Sequence, residues 1–270
     1  MDIAARATFG QHLRRWRQQR RLSQLGLALD AGLSARHLSC LETGRALPSR
    51  EMVLRLVDRL AVPLRERNAA LVAAGFAPLY PEHRLDDPAA DAARRAIEVL
   101  LAAHEPFPAL AIDRHWNMVA HNAAVPPLLE GIAAALLAPP VNVLRLSLHP
   151  EGLAPRIVNL AAWRGHLFER LRRQIEVSGD GRLTALLHEL MAYPAGDAVP
   201  GDADTDDLGG LVVPLRLRTA AGELSFIGTV TVFGTPVDVM LSELAIESLF
   251  PADAHTAQVL TALQSARGAR

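Results

Sequence analysis

The sequence predicts two domains of different class: an all-α domain on the N-terminal side, then an α+β domain. Three observations carry this. A chain of 270 residues, 50% of them hydrophobic, exceeds the needs of one small core. The charge is divided: residues 1–75 hold 13 Arg against 6 Asp and Glu, whereas the remainder holds 15 Arg against 23, so a formal net charge of -1 conceals a basic front and an acidic back. The apolar pattern also changes near residue 107, from helical spacing punctuated by Gly and Pro to short runs with β-branched character.

In the first domain a helix is expected over roughly 6–19, with Leu13 and Trp16 inward and Phe9 one turn before. Ser23 is a natural N-cap for a helix over about 24–30 that buries Leu27 and Ala28. Ala31-Gly32-Leu33 is the turn, where Gly32 can take the positive φ that a tight helix-to-helix connection demands. Ser34 caps a third helix over about 35–42, with Leu38 and Leu41 inward and Gly44 as its stop. Pro48-Ser49 opens a fourth over about 50–60, which turns Met52, Val53, Leu56 and Leu60 inward. After Pro63 a fifth runs from about 64 to 74, and Gly75 ends it.

Residues 75–92, with Pro78, Pro81 and Pro88, read as a connector, and a helix over about 89–103 leads onward. Leu110 to Asp113 and Asn117 to Ala120 read as short strands around Arg114-His115. Helical pieces are expected over about 121–137, 151–158, 160–177 and 180–192, and an exposed loop over 194–210. Strands then run from Leu211 to Arg218 and from Leu224 to Phe233, the second carrying Thr229 to Val232. Val237 to Leu249 is ambiguous and is read as strand rather than helix, and Pro251-Ala252-Asp253 starts a last helix. The resulting division is 1–77, a connecting stretch 78–103, and 104–270.

The first three helices have the spacing by which one helix lies in the major groove of double-stranded DNA while another crosses the backbone. The outward residues of the third are Ala35, Arg36, Ser39 and Cys40, with Ser34 and His37 at its start. Arg36 could fork onto guanine O6 and N7, a contact worth roughly 1–3 kcal/mol of discrimination. Gln24, at the start of the second helix, is placed for a phosphate, and Arg14, Arg17, Arg45 and Arg50 are expected to neutralise phosphates without reading sequence.

Leu22-Ser23-Gln24, Leu27-Ala28, Ala31-Gly32-Leu33-Ser34, Leu38-Ser39, Leu41-Glu42-x-Gly44-Arg45 and Pro48-Ser49 resemble the Cro/C1-type (XRE) helix-turn-helix family, over about residues 6–76. The resemblance implies a lambda-repressor-like fold, a phosphate contact by Gln24, and base reading at Ala35, Arg36, Ser39 and Cys40. Ala35 and Cys40 are too small to read much by hydrogen bonding, which leaves base readout to Arg36 and His37, or to DNA shape. A dimer is expected, because one short helix reads too few base pairs. Beyond it, Arg67-Asn68-Ala69-Ala70-Leu71, Ala74-Gly75-Phe76-Ala77-Pro78, Pro108-Ala109-Leu110-x-x-Asp113-x-x-Trp116 with Asn122, and Phe233-Gly234-Thr235-Pro236-x-Asp238 are similar to regulators with an MmyB-like ligand-binding domain. That resemblance implies a PAS-like C-terminal domain, a small antiparallel sheet with flanking helices closing over an apolar cavity, and by analogy a fatty-acid-like occupant.

From the residues alone, Trp116, Trp163, Phe168, Phe226 and Phe233 are candidates to line such a pocket, with His121 or Asn122 anchoring a polar head. The competing reading is ordinary core for the aromatics and a turn cap for Asn122. Ten His residues show no His-x-x-x-His or His-Glu-x-x-His spacing and there is no Cys-x-x-Cys, so no metal or other cofactor is expected. Gly-x-Ser-x-Gly is absent and Gly209-Gly210 precedes a strand, so neither a nucleophile elbow nor a dinucleotide fingerprint is present. Cys40, the one cysteine, excludes an intrachain disulfide and reads as a small filler. Met1-Asp2-Ile3-Ala4 lacks the apolar core of a signal peptide and no apolar run is long enough for a bilayer, which points to a cytoplasmic protein without a membrane partner. The expectation is a DNA-binding regulator, not an enzyme, whose second domain senses a small apolar ligand, dimerises, or both. The alternatives are a pure dimerisation or protein-interaction module, or an enzyme attached to a DNA-binding address.

Overall fold

A computed structural model describes residues 7–194, 212–234 and 236–268. They fall into two compact units: residues 7–83 with 236–242, and residues 84–234 with 243–268.

The first unit is five helices: α1 (Phe9–Gln19), α2 (Gln24–Ala31), α3 (Ala35–Glu42), α4 (Arg50–Arg59) and α5 (Leu64–Ala73). Hydroxyl caps fix the starts of the first four. Thr8 and Gln11 form a reciprocal capping box that starts α1 at Phe9, later than the expected 6. The Ser23, Ser34 and Ser49 side chains accept from the backbone amides of Gly26, His37 and Met52 at 2.9, 3.1 and 3.2 Å. Gly32 has φ +68° at the end of α2, so the expected left-handed turn is present. Leu13, Trp16, Leu27, Leu38, Leu41, Leu56 and Leu71 meet in one buried cluster. At Gly10 the two helices nearly touch: a Cβ there would lie 2.5 Å from the Leu41 carbonyl oxygen and 2.6 Å from that of Glu42, so only glycine lets α1 approach α3 this closely.

The second unit begins with α6 (Asp91–Ala103), then β1 (Ala109–Ile112), β2 (Met118–His121), α7 (Val143–Leu148), α8 (Leu160–Ser178), α9 (Gly181–Ala192), β3 (Leu215–Thr219) and β4 (Gly222–Val232). A short helix, α10 (Val239–Ser242), belongs to the first unit, after which β5 (Ala245–Pro251) and α11 (Ala254–Gly268) return to the second. The strands form one antiparallel sheet in the order β2-β1-β5-β4-β3. Leu215 pairs with Phe226 and Leu217 with Leu224, so the four point to one face, the face that packs on Trp163, Leu167, Leu171, Leu186 and Leu190.

Several expectations are revised. Residues 121–137 are not an α-helix but contain two 3-10 turns, Pro126–Leu129 and Ala134–Leu136, because the Pro126-Pro127 pair withdraws backbone donors. Residues 151–158 hold only the turn Ala154–Arg156. Helix α7 was not expected; Asn142 caps it by accepting from the Arg145 amide at 3.2 Å. The stretch read as strand over 237–249 divides into α10 and β5. Most of the expected loop over 194–210 lies outside the described residues.

Candidate nucleic-acid interface and ligand cavity

Several basic side chains of the helical unit reach solvent. Arg14 on α1, Arg36 on α3, and Arg45 and Arg50 beyond it are exposed, and His37, Ser39, Cys40 and Ala35 are half-buried. Ser34 is engaged as a cap, so its hydroxyl serves the helix start, where free backbone N–H groups and the positive dipole end favour an anion.

Arg17 is a correction. It was expected among phosphate contacts, but the structure places its guanidinium in the core, where Nε and Nη2 donate to Glu42 Oε1 and Oε2 at 2.6 and 2.9 Å and Nη1 donates to the Leu22 carbonyl at 2.8 Å. Gln24 Nε2 donates to the same Glu42 carboxylate at 2.8 Å, which commits one of its amide donors to the fold. Burial alone pushes the Glu42 carboxyl up, but the hydrogen bonds from Arg17 and Gln24 and the charges of Arg17 and Arg14 outweigh it and hold the group below the usual carboxylate range. Glu42 was missed as a determinant. Its signal is that no other acid stands between Asp30 and Glu51.

In the second unit a cavity of about 320 Å³ opens between the sheet and helices α7 and α8. Trp116 is brought to its wall by a turn that Asp113 shapes: Asp113 Oδ1 accepts from the amides of His115 and Asn117 at 2.8 and 2.9 Å, and Trp116 sits at φ +66°. A tryptophan held left-handed is a strained position, stabilised here by Nε1 donating to Gln174 at 2.8 Å. Helix α8 supplies Trp163, His166, Leu167 and Arg170, and α7 supplies Leu144, Leu146 and Ser147. Trp163 Nε1 donates to Ser147 Oγ at 2.9 Å, and Arg145 reaches Glu189 with two bonds of 2.7 Å, so α7 is held against α8 and α9. The sheet adds Leu110, Met118, Gly228, Glu247 and Leu249.

The polar part of this wall is compact. Arg170 donates to Glu247 at 2.6 and 3.3 Å and lies over the Trp116 ring, 4.7 Å from its centroid. His166 stacks on Trp163 at 5.5 Å. Burial, then the nearby Arg170 and Arg173 charges, hold the His166 imidazole below its ordinary value, so it is neutral at neutral pH.

Of the expected pocket residues, Trp116 and Trp163 line the cavity. Phe168 and Phe226 are corrected to core: both are buried, and Phe168 stacks under the Arg164 guanidinium at 5.1 Å. Phe233 is half-buried beyond the end of β4 and outside the cavity wall. Asn122 is a turn cap, as the competing reading had it: Oδ1 accepts from Ala109 and Ala124 at 3.1 and 3.2 Å, and Nδ2 donates to the carbonyls of Leu101 and Phe107 at 3.2 and 2.8 Å. His121 stands beside it on β2, away from the cavity, with Nδ1 at 3.0 Å from the Asn122 carbonyl. Arg170, His166 and Glu247 were missed, although the 163, 166, 167, 170 spacing is that of one helix face. Among the described residues, no three His, Cys, Asp or Glu side chains are grouped as a metal site requires, and no helix is long and apolar enough to cross a membrane.

Comparison with known families agrees with this geometry. Residues 8–70 match a helix-turn-helix domain, and residues 93–263 match the MmyB-like transcription regulator ligand binding domain. No curated protein matches the chain. Because the second match spans more than half of its length, the chain belongs to the MmyB-like transcription regulators, with a helix-turn-helix domain ahead of the ligand-binding domain.

Proposed function

We propose that this protein is a cytoplasmic, sequence-specific transcriptional regulator of the XRE type that binds double-stranded DNA as a homodimer. Residues 1–77 read the operator, 78–103 connect, and 104–270 form a PAS-like domain that binds a small apolar molecule with an anionic head, and is not an enzyme. The observation that carries the sensing role is the cavity: its wall is mostly apolar side chains, and among the described residues that line it Arg170 is the one arginine. An apolar body leaves water for Leu110, Leu144, Leu167 and Leu249, and an anion takes donors of Arg170 beyond those Glu247 accepts. A module made only for dimerisation has no use for a void that forfeits packing contacts. DNA reading rests on the open α3 face with Arg36 at its start; Arg14, Arg45 and Arg50 give salt-dependent phosphate affinity.

The test is native mass spectrometry of the purified chain before and after organic extraction. An added mass that leaves on extraction, and that a Leu146→Trp variant with a filled cavity fails to carry, is the expected result. An unextractable bare mass, with no uptake of dodecanoate or other anionic amphiphiles on titration, would falsify the sensing role.

A further inference from the structure

Gly228 on β4 and Glu247 and Leu249 on β5 belong to the cavity wall, and in register Gly228 faces Leu249 while Val230 faces Glu247. Pairing of these strands ends at Val232 and Ala245. The chain that joins them does not stay with the sheet: residues 236–242 are part of the helical unit.

The attachment inside that unit is specific. The Val239 amide donates to the Pro81 carbonyl at 2.9 Å, and the Val239 side chain is fully buried. Asp238 Oδ2 lies 2.7 Å from His83 Nδ1 and accepts from the His83 amide at 3.3 Å. Its Oδ1 accepts from Met240 and Leu241 at 2.8 and 3.3 Å, so one buried carboxylate both starts α10 and holds residue 83. The 79–83 stretch is in turn fastened to α5: Asn68 Oδ1 accepts from the amides of Leu79 and Tyr80 at 2.9 and 3.0 Å, and Nδ2 donates to the Tyr80 carbonyl at 2.7 Å.

We propose that the β4–β5 connection is the lever by which occupancy of the cavity biases the DNA-binding unit. The proposal rests on the reading of the cavity as a ligand site. Two strands of the cavity wall continue by covalent connection into a clasp that ends on α5, and the bonds that close it, from His83 to Asp238 and from Val239 to Pro81, are short contacts that are made or broken rather than stretched. The clasp is held or released, which makes it a two-state element. A ligand that spreads or draws in β4 and β5 acts on the two ends of the 236–242 segment, and therefore on the balance between held and released. By reciprocity, a held or released clasp changes affinity at the cavity by the same factor.

Hydrogen exchange of the full-length chain, read by mass spectrometry with and without saturating dodecanoate, tests this, with binding itself followed by calorimetry. Exchange of peptides covering both 236–242 and 64–80 is expected to change by about fivefold or more, the lower end of ordinary coupling energies. In Asp238→Ala, which removes both bonds to His83 together with the cap of α10 and lies outside the cavity wall, the 64–80 response is expected to disappear while dodecanoate still binds. Binding with unchanged exchange in 64–80 overturns the lever and leaves the cavity reading intact. A full 64–80 response in Asp238→Ala overturns the clasp. Failure of dodecanoate to bind contradicts the cavity reading and removes the basis of the lever with it.

Discussion

Two arginines three residues apart on α1 have opposite fates, and the difference is geometric. Arg14 is exposed, while Arg17 points at α3 and is bonded twice to Glu42. Removing Glu42 leaves a buried guanidinium unpaired, so Glu42→Ala is expected to destabilise the helical unit by about 3–5 kcal/mol in a denaturant titration. Because the folded carboxyl titrates below its ordinary range, its contribution is complete above the unfolded value and is lost as pH falls through the folded one. The wild-type unit should therefore weaken on acidification below the usual carboxylate range, and Glu42→Gln should flatten that part of the stability profile. For DNA, Arg14→Ala is expected to weaken binding to all sequences alike and reduce the salt slope by about one, whereas Arg36→Ala is expected to cost about 1–3 kcal/mol at one position of the site only. Charge and residue type made these side chains candidates in the sequence. Which arginine turns inward depends on a partner 25 positions away, and local spacing carries no record of it.

At the scale of elements, the helices of the first unit were legible because each carries its own stop and start: Ser23, Ser34 and Ser49 cap, and Gly32 turns. Gly10 was not singled out, since nothing in the local pattern shows that a carbonyl of α3 will lie against it. Gly10→Ala is expected to lower stability by about 1–3 kcal/mol, because backbone rather than a flexible side chain must give way, and thermal unfolding by circular dichroism will read the shift. In the second unit α8 was legible from its apolar stripe, whereas α7, with six residues, is too short for periodicity to register. Asn122 joins the end of α6, the segment before β1 and the turn after β2, so Asn122→Ala is expected to destabilise this unit by about 1–3 kcal/mol while the folded fraction binds amphiphile unchanged.

For the whole molecule, the division into a basic helical part and an acidic α+β part was visible in the charge count and the change of period near residue 107. The membership of residues 236–242 in the helical unit was not, because a contact between Asp238 and His83 spans 155 positions and leaves no periodic trace. A long separation also explains why the cavity's polar groups were missed: Arg170 and Glu247, 77 positions apart, meet only when α8 packs on the sheet. Reading DNA sequence is the central claim, and selection of random double-stranded DNA by the full-length protein, run beside Arg36→Ala and Arg14→Ala, tests it most directly. Enrichment of a two-half-site motif that blurs at one position with Arg36→Ala and keeps its pattern with Arg14→Ala is the expected result. A pool that stays unenriched with the wild-type protein, or an identical sharp motif from Arg36→Ala, would contradict the assignment of α3 as the reading helix.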